Sequence, residues 1–138
     1  MNPGLSYRAA AVAGASPVRL VILLYEQAME DLRRAVTAHA RGDIEGRTRE
    51  INHAILVIGH LETTLDPEQG GKVAANLALF YQHLRAGLVQ AQCQQSMAAV
   101  EQAISQLVQV HGAWCEVERS TTASAPGESH PANSEWNA

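Results

Sequence analysis

The chain has 138 residues, with 14 acidic against 10 basic side chains and a net charge of −4. That length leads one to expect a single domain with a real core. Only one lysine, Lys72, is present and no basic stripe is available to neutralise phosphates, which argues against nucleic acid and against an anionic membrane surface as partners.

Residues 1–15 mix small and polar side chains with Pro3, Gly4 and Gly14 and read as a flexible N-terminal arm carrying one aromatic, Tyr7. Ser16 and Pro17 form a helix start: a serine oxygen accepts from an orphan N–H of the first turn, and proline wastes no donor at the first helical position. The first helix is expected from Ser16 to about Arg41, with Val18, Ile22, Tyr25, Met29, Leu32, Val36 and His39 along its seam. The run Leu20-Val21-Ile22-Leu23-Leu24-Tyr25 is apolar all round, so it needs cover on more than one side. Gly42 supplies a left-handed stop.

Asp43 caps a second helix whose expected buried face is Ile44, Ile51, Ala54, Ile55, Ile58, Leu61 and Leu65, and Asp66-Pro67 ends it. Pro67 to Gly71 reads as a turn. The third helix starts near Gly71 or Lys72 and shows Val73, Leu77, Phe80, Leu84, Leu88 and Ala91. After a break over Gln92–Gln95, Ser96 caps a fourth helix with Met97, Val100, Ile104, Leu107, His111 and Trp114 on one face, fading after Arg119. Residues 120–138 are too poor in apolar groups to offset their ordering entropy and are expected to be a disordered tail. The fold class that follows is all-α: an antiparallel up-down four-helix bundle over 16–119.

Little points to chemistry. Gly70-Gly71-Lys72 lacks the upstream glycine of a phosphate loop, and Val73 stands in place of its hydroxyl residue. His53 and His60 are seven apart, whereas ligands on one helix sit one turn apart. Neither a metal nor another cofactor is expected, and the chain is read as not an enzyme. Cys93 and Cys115 belong to no C-x-x-C pair and read as free thiols. The N-terminus shows no basic and apolar signal pattern, so a cytoplasmic protein is expected. His39-Ala40-Arg41-Gly42 loosely imitates a histidine phosphotransfer site, although the glycine ends the helix there.

The surplus lies on the outside. With 100° per residue, Leu20, Leu23, Leu56 and Leu79 point away from the seams of their helices. They could line grooves for a disordered polypeptide that becomes helical on binding. Self-association of a structural or adaptor bundle would bury the same leucines, down to a weak homodimer.

In its details the chain resembles the flagellar secretion chaperone FliS family over about residues 7 to 116. The resemblance rests on Tyr7 and Val12, on Ala15-Ser16-Pro17 with Leu20-Val21-Ile22-Leu23-Leu24-Tyr25, and on Gly42-Asp43-Ile44-Glu45. It continues in Leu65-Asp66 with Gly70-Gly71, Asn76-Leu77 and Phe80-Tyr81, and in Ala113-Trp114. Departures from the family pattern fall at Gly14, Glu26-Gln27, Lys72, His83 and Gly87. The resemblance implies a cytoplasmic chaperone that binds the disordered C-terminal segment of flagellin, blocks premature polymerisation and delivers it to the flagellar type III export apparatus, with export-gate components as further partners. Leu20, Leu23, Leu24, Leu56 and Leu79 are then the expected groove residues, with Tyr7 part of a displaceable lid.

Overall fold

The computed structural model describes residues 16–124. Four helices follow in order: α1 (Pro17–Ala40), α2 (Ile44–Thr63), α3 (Pro67–Gln94) and α4 (Met97–Ser124). Each packs on the next and α4 returns to α1, which closes the antiparallel ring expected from the sequence. The most extensive seam is α1 on α2 and the slightest is α3 on α4.

The boundaries follow local chemistry. Ser16 Oγ accepts from the Arg19 amide at 3.1 Å, as the cap reading requires, and Gly42 takes φ +75° after α1. Asp43 Oδ1 accepts from the Gly46 amide at 2.9 Å to open α2, and Ser96 Oγ accepts from the Ala99 amide at 3.2 Å to open α4. Gln95, between α3 and α4, adopts the left-handed conformation with φ 55°.

Three boundaries differ from expectation. α3 runs through Gln92–Gln94, where a break is expected from the sequence, and stops at the left-handed Gln95. Pro67–Gly70 is a helical turn, because Asp66 Oδ1 accepts from the Glu68 and Gln69 amides at 3.1 and 3.2 Å. Gly71, at φ 53° and ψ −128°, then breaks the helix, and α3 resumes on a shifted line. The fourth helix does not fade at Arg119 but continues to Ser124, where the Thr121 hydroxyl donates to the Val117 carbonyl at 2.9 Å. The arm 1–15, with Tyr7 and Val12, and the rest of the expected tail lie outside the described residues.

The core runs through the ring's centre. Tyr25, Ala28, Leu32 and Ala35 of α1 cluster with Ile51, Ala54, Val57, Ile58 and Leu61 of α2, and Ile22 is fully buried as well. Tyr81, Leu84, Leu88 and Ala91 of α3 and Val100, Ala103 and Leu107 of α4 complete it. Flanked by both α2 and α4, α1 buries Val21, Ile22, Leu24 and Tyr25 in succession or nearly so, as its apolar run demanded. Two expected core positions are corrected. Ile44 is 61% exposed and Val73 is 66% exposed, because each lies in or near the opening turn of its helix, at the end of the bundle.

Tyr25 and Tyr81 bridge α1 and α3. Their hydroxyls lie 2.9 Å apart, one donating to the other, and the rings meet edge-on with centroids at 6.1 Å. Burial pushes both phenols' pKa values up, so both stay protonated across the physiological range. Tyr81→Phe leaves the Tyr25 hydroxyl buried without this partner and should cost about 1–2 kcal/mol in urea denaturation. An unchanged midpoint would show that the pair contributes nothing net.

Candidate functional site

At the end of the bundle where α1 begins, a cleft of about 250 Å³ opens between α1, the α2–α3 turn, the first turns of α3 and Trp114 of α4. Pro17, Val18 and Val21 form one wall, and Val73, Ala74 and Leu77 form the other. Leu65 and Trp114 also line it, while Thr64, Asp66 and Gly70 supply its few polar edges. The break at Gly71 makes this shape possible, since it lets the Pro67–Gly70 turn fold before α3 proceeds along the bundle. Gly70 is tight against α3: a side-chain carbon there would meet Ala74 Cβ at 2.6 Å.

The rim is held by contacts between α1 and α4. The Arg19 guanidinium donates to Glu118 at 3.2 Å, and His111 Nε2 lies 3.0 Å from Glu26 Oε2 one turn before Cys115. Both pairs are partly exposed, so each contributes at most about 1 kcal/mol to stability. Their geometric effect is to hold Trp114, between them on α4, against α1. An indole at the mouth of an apolar cleft offers a large contact area with little rotamer entropy to lose.

The sequence-derived groove residues are dispersed by the fold. Leu24 is only 5% exposed and belongs to the core beside Tyr25 and Ala28; as a groove residue it is corrected, because α1 is covered from two flanks. Leu20 is half-buried and packs against the core, and Leu23 is half-buried. Leu56 and Leu79 are exposed, at 56% and 65%. They do not share a groove: the Asn52–Gln92 and Glu62–Arg85 contacts fix the α2–α3 register and place them ~14–18 Å apart along the axis. None of these five leucines lines the cleft. Tyr7 lies outside the described residues.

The cleft is instead built by residues that sequence reasoning set aside as core (Val18, Leu65, Val73, Leu77) or as turn (Gly70). The available signal was the glycine pair after Leu65-Asp66, which marks where a helix starts twice. His39 sits at the last turn of α1 with Nδ1 3.0 Å from an Arg47 guanidinium nitrogen, and His53 contacts Asp31. Among the described residues, no group of three or more His, Cys, Asp and Glu side chains is placed to hold a metal ion. Among the same residues, no helix is long and apolar enough to cross a membrane.

Comparison with known proteins gives a consistent result. Residues 1–121 match the family model described as flagellar protein FliS. The flagellar secretion chaperone FliSB of Pseudomonas aeruginosa is 34% identical over 105 residues, covering 76% of this chain and 83% of that protein. The flagellar secretion chaperone FliS of Salmonella typhimurium is 32% identical over 108 residues, covering 78% and 80% of the two chains. The Vibrio cholerae flagellar secretion chaperone FliS is 26% identical over 106 residues, covering 77% and 78%.

Proposed function

The chain belongs to the FliS family of flagellar proteins, and on that premise we propose that it is a cytoplasmic flagellar export chaperone that holds the C-terminal segment of flagellin. The observation that carries this reading is the open apolar cleft framed by Val18, Val73 and Trp114. A disordered segment that folds into a helix can set one apolar face into such a cleft, with Trp114 as the anchor. Sequestering that face denies it to other copies of the segment, which is how binding alone, without catalysis, opposes premature polymerisation. Leu56 and Leu79 supply exposed contacts for further turns of the same segment along the bundle. Leu20 and Leu23 add half-buried contacts on α1. Tyr7 belongs to an arm that the client displaces. Delivery to the export apparatus follows once the client is held in this form.

Calorimetric titration with a flagellin C-terminal peptide tests this directly. The expected result is a one-to-one complex with a negative heat-capacity change, the mark of buried apolar surface. A tight homodimer in sedimentation that takes up no peptide would replace the chaperone reading with the self-associating bundle.

A further inference from the structure

The opposite end of α1 carries a second cleft of quite different chemistry, with a volume of about 420 Å³. It lies between the last turns of α1 and the first turns of α2. Of the ten Lys and Arg residues of the chain, Arg33, Arg34, Arg41, Arg47 and Arg49 crowd into this short stretch, and all but Arg47 line the cleft. Three acidic residues line it too: Glu30 pairs with Arg34 at 2.5 Å, and Asp43 caps α2 while keeping its charge. Glu50 is the third. The guanidinium groups of Arg33, Arg41 and Arg49 are exposed and, among the described residues, form no ion pair.

We propose that this cleft docks an acidic helical segment of a second polypeptide. The match is geometric as well as electrostatic. Arg33, Thr37 and Arg41 recur every fourth residue along α1, so the two arginines stand ~12 Å apart, and a helix with carboxylates at the same interval lies alongside in register. Arg49 of α2 reaches the segment from the other wall. A nucleic acid or an anionic bilayer fits less well. The continuous row of phosphates along a nucleic acid meets the interspersed carboxylates of Glu30, Asp43 and Glu50 and a protein of net charge −4. A polypeptide can space its acids to avoid them. The two clefts stand at opposite ends of α1, ~30 Å apart, so both can be filled at once.

Fluorescence anisotropy with a labelled alanine-based helical peptide carrying glutamate at every fourth position is the test. The expected result is saturable binding that weakens as salt rises. The triple variant Arg33→Glu, Arg41→Glu, Arg49→Glu should bind it roughly ten- to a hundred-fold more weakly, from the loss of three exposed charge pairs. The same variant should gain affinity for the lysine counterpart of the peptide, while its circular dichroism stays that of the parent. Absence of binding at millimolar peptide, binding indifferent to the triple reversal, or tighter binding of a labelled oligothymidylate than of the glutamate peptide would each overturn the proposal. Because the substitutions lie away from the apolar cleft, the flagellin titration run on the same variant reports on the chaperone reading separately.

Discussion

Replacing Val18 and Val73 together by aspartate should lower affinity for a flagellin C-terminal peptide by roughly a hundredfold or more, measured by calorimetry. Both side chains face the apolar cleft, and neither belongs to the buried core. A charge at either position must shed water when an apolar partner side chain arrives, and the apolar contact itself, worth ~1.5–3 kcal/mol per fully buried side chain, is lost. The helices should survive: Val73 is 66% exposed and Val18 is partly exposed, so neither aspartate is forced into the interior. Changing Leu56 and Leu79 to aspartate should cost only severalfold in affinity, since these positions stand outside the cleft and apart from each other. A larger loss from the Leu56 and Leu79 pair than from the Val18 and Val73 pair would move the client's main seat to the outer leucines and sink the cleft as its principal contact.

The reason one pair was legible in the sequence and the other was not is physical. A seven-residue seam identifies which helical face turns inward, and it placed Ile22, Tyr25, Met29, Leu32, Ile51, Ile58, Leu84, Leu88, Val100 and Leu107 in the core. It cannot tell where a helix runs out of neighbours. Val73 and Ile44 carry the core's periodicity yet stand at the bundle's ends, and this converts Val73 from packing residue to cleft wall. The same reading treats an apolar residue off the seam as exposed. In α1, Leu24 is off the chosen seam but is covered because α1 has close neighbours on both flanks. Caps were readable because they depend on a few adjacent residues: Ser16, Asp43 and Ser96 each accept the expected amide. The arginine cleft escaped notice for a different reason. A net count averages charges over the chain, whereas the α1–α2 turn brings Arg33, Arg41 and Arg49 onto one concave surface.

Charge buried inside the bundle leads to the other large effect. Asp31 of α1 is fully buried, with its carboxylate accepting from Gln27 Nε2 at 2.9 Å and from His53 Nδ1 of α2, and Arg34 stands 3.9 Å away. Burial nonetheless prevails over these partners and holds the Asp31 carboxyl above the ordinary carboxylate range. The native state therefore takes up the proton more readily than the unfolded chain. Asp31's contribution to stability is complete below the ordinary carboxyl pKa and is lost as pH rises through the elevated native value. Asp31→Asn should thus match or exceed the parent at pH 7, by up to about 1 kcal/mol in urea denaturation, with the difference shrinking toward pH 4. Asp31→Ala should lose about 3 kcal/mol, because it strands the Gln27 amide and His53 Nδ1 on a ring whose Nε2 already has no protein partner. If Asp31→Asn is instead several kcal/mol less stable than the parent at pH 7 and recovers on acidification, attraction between the ionised carboxylate and a protonated His53 dominates over desolvation. The seam between α1 and α2 would then be held chiefly by an ion pair, and Asp31 would add stability as pH rises through its pKa instead of losing it.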